Sequence, residues 1–344
     1  KEVLTSLENN YESLSEIEQF LAENESKNSE STNAKVAEML ATKANLENNK
    51  PQSSLVSRYS NTALSEMSAN VNVALQIARN LDRHLLSQDN SNVWANTEAT
   101  KQNYHSDFYR PYKQSLTMTQ IGLANNVNDN VRVGAVLSHS RANNTFAENV
   151  SGKNRLTALS TYVKGNWNNG VFASLDLGYG RSRNTIDFDG KNNVFHRSLF
   201  SARVNAGIQW DWGVNIQPSI GVRYNRLSKA NYHLAEAKVE SKALNLMTYR
   251  AGLALSKTFD VAGVKLTPSL ASYYNDATQR KMAVNGALSV NNIGMQQQFG
   301  RYFNHEAGLA AQFNQWQVSA QVGMLKGSDI TTQKYAAFKL GYTW

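Results

Sequence analysis

Between residues 2 and 21 the apolar positions Leu4, Leu7, Tyr11, Leu14, Ile17 and Leu21 recur every three or four residues, the stripe of an amphipathic helix. Residues 22–33 are polar and read as a flexible link. Residues 34–47 allow a second short helix, closed at Lys50-Pro51 because proline interrupts helical hydrogen bonding. Residues 55–86 contain neither proline nor glycine and predict a longer helix with its core at 60–86. At roughly 1.5 Å per residue that core extends about 40 Å, enough to cross a hydrocarbon layer about 30 Å thick. Direct contact with lipid is excluded, because Arg58, Glu66, Arg79, Asp82, Arg83 and His84 are spread over the helix and charge in lipid is costly. Such a helix fits a water-lined pore, and a surface helix on a soluble domain fits these residues as well.

From about residue 91 the period changes to two. Val214, Ile216, Pro218, Ile220, Val222 and Tyr224 alternate with Asn215, Gln217, Ser219, Gly221, Arg223 and Asn225. Phe200, Ala202, Val204, Ala206, Ile208 and Trp210 alternate in the same way with Ser201, Arg203, Asn205, Gly207, Gln209 and Asp211. A third run spans residues 171–179. These runs exceed the five or six residues usual in globular strands and match the roughly 9–11 of a tilted membrane strand. Strands are predicted at 91–104, 109–124, 131–141, 155–167, 170–183, 198–210, 213–226, 243–259, 263–275, 299–313, 316–326 and 333–344. Tight turns alternate with longer polar connections at 141–154, 184–198, 226–242, 275–298 and 326–333. Twelve strands in this short–long rhythm predict an all-β fold, a 12-stranded antiparallel transmembrane β-barrel with an N-terminal α-helix through the pore. Polar and apolar residues sort poorly around Leu116–Leu123 and 155–165. A soluble sandwich shows the same alternation, although aromatics near strand ends, among them Trp94, Tyr109, Tyr112, Trp167, Trp212, Trp316 and Trp344, favour a membrane interface.

Composition separates the same two regimes. All 20 glycines lie at or beyond Gly122. Residues 1–50 carry ten glutamates against five lysines, so with +8 on the whole chain the remainder carries +13. The expected division is 1–54 as a partly flexible helical linker, 55–88 as the pore-traversing helix and 89–344 as the barrel. No run approaches eighteen apolar residues and mean hydropathy is −0.50, which excludes a transmembrane helix but not a barrel. Lys1-Glu2-Val3-Leu4 lacks a signal-peptide pattern, so the chain is expected to be the C-terminal part of something longer.

Period two places Arg132, Asp176, Arg203, Arg223, Arg250, Glu306 and Lys339 on the polar faces of their strands, with Lys265 and Asp211. They are the expected pore wall, and Glu66, Arg79, Asp82 and Arg83 are the helix's expected contacts with it. The six histidines show no His-Glu-x-x-His spacing, and neither Gly-Asp-Ser-Gly nor Gly-x-Ser-x-Gly occurs. No catalytic, cofactor-binding or metal site is expected; His196 beside Asp187 and Asp189 is the nearest approach to one. The arginines are dispersed and no nucleic-acid motif accompanies them, so no nucleic-acid partner is expected.

Three stretches carry a family likeness: Ala74-Leu75-Gln76-Ile77-Ala78-Arg79-Asn80-Leu81-Asp82-Arg83-His84-Leu85 with Val93-Trp94-Ala95, Tyr112 to Gly122 with Gln120-Ile121-Gly122, and Lys339-Leu340-Gly341-Tyr342-Thr343-Trp344. Over roughly residues 55–344 the chain resembles the translocator unit of type V autotransporters, most closely the IgA-protease and Hap adhesion-and-penetration type of Haemophilus and Neisseria. The resemblance implies a monomeric barrel in the outer membrane of a Gram-negative bacterium, exporting and displaying its own N-terminal passenger in a virulence setting. It implies contacts with outer-membrane lipid and lipopolysaccharide, with periplasmic chaperones and with the barrel assembly machinery. Phe338, Leu340, Tyr342 and Trp344 would be the terminal assembly signal. Any serine protease activity would belong to an upstream passenger. A segment equivalent to the intra-barrel asparagine cleavage site of related enterobacterial proteins is missing, so Asn70 and Asn72 receive no such role. The competing function is an outer-membrane pore or binding barrel whose internal helix is a plug.

Overall fold

The computed structural model describes residues 58–106, 109–235, 237–277, 281–287, 291–296, 300–328 and 330–344. The two helices expected before residue 50 and the linker at 1–54 lie outside the described residues. Helix α1 spans Arg58–Leu86. Twelve long strands follow. They are β1 (Val93–Tyr104), β2 (Tyr112–Asn126), β3 (Val131–Phe146), β4 (Val150–Asn166), β5 (Val171–Phe188) and β6 (Lys191–Ile208). The second six are β7 (Asn215–Leu227), β8 (Leu244–Ser256), β9 (Val264–Ala277), β10 (Arg301–Phe313), β11 (Trp316–Lys326) and β12 (Gln333–Tyr342).

Each long strand pairs antiparallel with its neighbour in sequence, and β1 pairs with β12 through Val93↔Tyr342 to Thr100↔Tyr335. The ring is therefore closed around the level of the apolar belt, as lipid requires of a sheet. Tight turns at 127–130, 167–170 and 314–315 mark one end of the barrel. Gly170 closes one of them at φ 85°, a conformation that favours glycine. The helix starts at the other, long-loop end and finishes among the tight turns.

Outward positions carry Leu137, Leu159, Leu177, Val204, Ile220, Leu253, Leu270, Leu309, Val322 and Phe338, each 40–64% exposed. On a soluble protein so continuous an apolar belt would be an aggregation surface; on a barrel it is the lipid face. Trp167, Trp212, Trp316 and Trp344 are exposed at the tight-turn end, as an interfacial girdle requires.

Two connections expected as long polar loops are strand instead. β3 and β4 continue to a turn at 147–149, and β5 and β6 continue to one at 189–190, so 141–154 and 184–198 form ladders rather than loops. Inside these hairpins Phe146, Val150, Ile186, Phe188 and Phe195 are buried toward the helix while their neighbours face out. The outward residues are polar because they stand beyond the apolar belt, which made the segments look like loops. The same inversion explains the poor sorting at 116–123 and 155–165. Leu116, Met118, Leu156 and Ala158 point inward onto the helix, whereas Ile121, Leu123, Leu159 and Val163 point to lipid. The connection at 226–242 contains a short hairpin, Ala230–Leu234 with Ala237–Ser241. It joins Lys281–Ala287 and Asn291–Gln296 in a four-stranded sheet. The last strand ends at Tyr342, two residues short of the expected end.

Candidate functional site

The lumen is filled by α1, and its two halves are held by different chemistry. From Ala63 to Ile77 the helix packs in an apolar sleeve. Leu64, Met67, Val71 and Val73 meet Leu116, Met118, Phe146, Leu156, Ile186, Phe188 and Phe195 of β2–β6. Tyr232, Leu234, Val239, Leu244 and Leu246 complete the sleeve. One ion pair is sealed within it, Glu66 with Arg197 at 2.7 Å, both side chains at most 4% exposed. Arg197 also donates to Ser241 Oγ and to the Ser228 carbonyl. Asn70 is tied to Glu66 on its own helix and to Asn154 of β4, and Asn72 donates to Tyr112 and Gln114 of β2. A buried charge pair of this kind is tolerable only with its remaining hydrogen-bond capacity satisfied.

From Arg79 onward the contacts are ionic. Glu98 of β1 is fully buried and accepts from Arg79, from Arg83 at 3.1 Å and from Asn80 at 2.9 Å. Arg83 forks onto Glu306 of β10 through two bonds of 2.9 and 2.8 Å. Tyr335 donates to Glu306, and its ring lies under the Arg79 guanidinium at 4.3 Å. Asp82 meets Arg203 at 3.0 Å, Arg223 at 2.8 Å and Arg250 at 3.4 Å. Asp176 takes a second fork from Arg223. Planar guanidinium forks of this kind set orientation as well as distance.

At the tight-turn end His84 stacks on Trp94 with centroids 4.0 Å apart, and Lys339 bridges His84 and Asp89. Gly122 makes this stack possible: a Cβ there would collide with the Trp94 ring. Lys164 donates to the Ser87 carbonyl and Gln217 to the Leu86 carbonyl, which supplies partners for the carbonyls left open at a helix C-terminus. Arg132 donates to the Asn90 and Ser91 carbonyls. At the opposite end Arg58 forks onto Asp189 at 2.8 and 2.6 Å, and Glu148 stands beside it. The hydrogen bonds from Arg58 hold the Asp189 carboxyl below its ordinary pKa. Acids of the loops thus face the helix N-terminus and bases of the wall face its C-terminus, the arrangement that complements the helix dipole.

The helix residues Glu66, Arg79, Asp82 and Arg83 all face wall side chains, and Arg132, Asp176, Arg203, Arg223, Arg250, Glu306 and Lys339 all point inward. Asp211 lies instead at a tight turn, accepting from the Gly213 amide. Glu98, Arg197 and Asp89 are additional partners. Glu98 was readable from the inward phase of Trp94 and Asn96, and Arg197 from the phase of Phe195 and Leu199. Trp94 and Tyr112, expected at the lipid interface, are buried in the lumen because they lie on the inward phase of β1 and β2. Tyr109, also expected there, lies in the bend before β2 and is buried against Ser68 of the helix and the Tyr112 ring. His196 faces outward opposite Arg183, while Asp189 is engaged by Arg58, so no catalytic pair forms there. Among the described residues no group of three or more His, Cys, Asp or Glu is placed to hold a metal. Phe338 and Leu340 face lipid, Tyr342 packs edge-on against Trp316 and Trp344 is exposed.

Among the long strands the helix approaches β2–β4 most closely, and a cavity of about 420 Å³ remains on the other side, lined in part by Thr248, Thr267, Ser269, Asn304, Gln317 and Gln321. A partly polar pocket therefore remains beside the inner half of the helix.

Known proteins resemble this chain in fold or in sequence. The translocator domain of the autotransporter NalP from Neisseria meningitidis superposes with a TM-score of 0.64 at 15% identity, covering 81% of this chain and 98% of that one. The adhesion and penetration protein autotransporter of Haemophilus influenzae is 36% identical over 295 residues, 85% of this chain but 20% of the relative. An immunoglobulin A1 protease autotransporter of Haemophilus influenzae is 29% identical over 326 residues, 91% of this chain and 17% of the relative. The chain thus spans about a fifth of the length of these relatives. Residues 93–323 match the family described as Autotransporter beta-domain. With a closed twelve-stranded ring, a lipid-facing belt and that match over most of its length, the chain belongs to the autotransporter β-domain family and is an outer-membrane translocator barrel.

Proposed function

We propose that the barrel exports its own N-terminal passenger and keeps it tethered at the cell surface through α1. The carrying observation is the direction of the helix, from the long-loop end at Arg58 to the tight-turn end at Leu86, continuous with β1. A passenger joined ahead of Arg58 is then joined at the outer face. In this reading residues 1–54 are passenger-derived linker, 55–88 the tether and 89–344 the translocator. The relatives' names support a parent of the serine-protease or adhesin type, with any such activity upstream. Glu66, Arg79, Asp82 and Arg83 hold the tether against the wall, so the finished barrel is plugged. A simple pore or binding barrel has no use for a helix running in this direction through its lumen.

The closed ring favours a monomer, and the expected contacts are with lipid, periplasmic chaperones and the barrel assembly machinery. Phe338, Leu340, Tyr342 and Trp344 serve as the tail that machinery reads. Replacing Tyr342 and Trp344 with serine should reduce inserted barrel in cells far more than refolding in detergent.

The central test places an epitope at Lys1 of the exported chain. Antibody should label intact cells, and shaving with protease should remove the label and leave a heat-modifiable barrel. An epitope reached only after permeabilisation, with the barrel correctly inserted, overturns the proposal.

A further inference from the structure

The outer surface of β3–β6 carries a feature that neither the plug nor the tether uses. Above the lipid-facing row Ile121, Leu137, Leu159, Tyr179 and Phe200, which are direct neighbours across the ladder, the outward residues become basic. The next row holds His139, Thr157, Arg181 and Ser198. The row above it places Arg141, Arg155, Arg183 and His196 directly opposite one another on four adjacent strands. Lys153 stands one step higher.

Neighbouring strands lie about 4.8 Å apart, so the three guanidinium-bearing positions and His196 span roughly 15 Å. Like charges placed directly opposite destabilise a sheet. Among the described residues no carboxylate pairs with them: Arg155 donates to the Ala142 and Asn154 carbonyls, and Arg141 donates to His139. Of the acids at the adjoining turns, Asp189 and Glu148 are committed to Arg58 and Arg110, while Asp187, outward on β5 four residues beyond Arg183, accepts from the Gly190 amide. Arg141, Arg181, Arg183 and His196 are exposed and Arg155 is half-buried between them, and the strip begins where the apolar belt ends at the long-loop side.

We propose that this strip is a binding site for the phosphates of an outer-leaflet glycolipid, with acyl chains against Leu137, Leu159, Tyr179 and Phe200 and phosphate groups on Arg141, Arg155, Arg181 and Arg183. The inference rests on the outer-membrane placement of the barrel. Guanidinium groups bind phosphate in two-pronged fashion, and a row of them reads several phosphates at a fixed spacing. An anion seated there removes the mutual repulsion of the arginines, so lipid binding and stability of the two tall hairpins are coupled.

The test reconstitutes the 344-residue chain in phosphatidylethanolamine vesicles that contain lipopolysaccharide with its phosphates intact, lipopolysaccharide with phosphates removed, or neither. The readout is the temperature at which the heat-modifiable form is lost. Intact lipopolysaccharide should raise that temperature by several degrees, and the dephosphorylated form should raise it much less. In the triple variant R141Q/R155Q/R183Q the affinity read from a lipopolysaccharide titration should fall at least about tenfold. The control K101Q/K326Q/K334Q, with the same loss of charge from β1, β11 and β12, should keep it. Without lipopolysaccharide the arginine variant should be at least as heat-resistant as the unmodified chain; lower resistance would mark a structural role and overturn the site. Equal stabilisation by the dephosphorylated lipid, or an unchanged affinity in the variant, overturns it too. Inorganic phosphate reproducing the full shift in lipid-free detergent would assign the strip to a free anion and not a lipid. Should the triple variant fail to fold, Arg155→Gln alone must lower the affinity. Surface labelling of an epitope at Lys1 is read in parallel: its loss with lipid binding intact would sink the export proposal and leave this site standing.

Discussion

The outer half of the helix, Ala63–Ile77, and the inner half, Arg79–Leu86, occupy one pore but are held by opposite means. The outer half is in close apolar contact with tall strands of 15–18 residues, while the inner half sits in a web of guanidinium–carboxylate forks. The outer sleeve excludes water and is indifferent to helix rotation by small angles, since apolar contact is non-directional. The forks are directional and define rotation and height together. Close packing and registration are thus divided between the two ends of a single helix.

Removing residues 58–86 abolishes both halves and carries the largest expected effect. Conductance in planar bilayers should rise several-fold, and a barrel that conducts equally without the helix would remove the plug assignment. Glu98→Ala attacks the inner half alone. It leaves Arg79 without its carboxylate and Arg83 with Glu306 only, and breaking a buried pair from one side costs about 3–5 kcal/mol. The barrel should still form but the current should become noisier; quiet traces would show that the forks do not restrain the helix.

Leu64→Ala attacks the outer half alone. The side chain is fully buried, and such truncations cost about 2–5 kcal/mol. Heat-modifiability should be lost at a lower temperature while current noise stays low, because the inner constriction is intact. Noise as large as that of Glu98→Ala would collapse the distinction between the halves. Arg58→Ala should have the smallest effect, because its pair with Asp189 is exposed to solvent. Since Arg58 lowers the Asp189 pKa, this contact is fully present above the ordinary carboxylate range and is lost as pH falls through the lowered value. Protease access near residue 58 should therefore increase only in acid, and in Arg58→Ala it should be high at every pH.

Most of the wall was legible in the residues themselves. Period two over nine or more positions determines which side chains share a face, and a face with Lys339 or Arg223 on it has to point away from lipid. That logic located twelve strands and the polar lumen. It failed where its premise failed. Beyond the apolar belt the outside of β3–β6 is wet and the inside touches a helix, so the apolar residues change sides while the ladder continues. A pattern reader expecting lipid outside sees loops at 141–154 and 184–198.

Alternation assigned the wall charges to the lumen, and the charge of the helix assigned Arg79, Asp82 and Arg83 to it, but neither assigned them to one another. The pairing of Arg79 with Glu98, of Glu66 with Arg197 and of Asp82 with three arginines depends on how far the helix is inserted and how it is turned. The partners are separated by 19 to 168 residues along the chain, so no local spacing records them. By itself the sequence determined a strand wall with one wet face and a helix too charged for lipid, because period and charge are local properties. Only the closed tertiary structure decided which charges meet, because a helix inside a ring has its rotation and height set together by strands that are far apart in sequence.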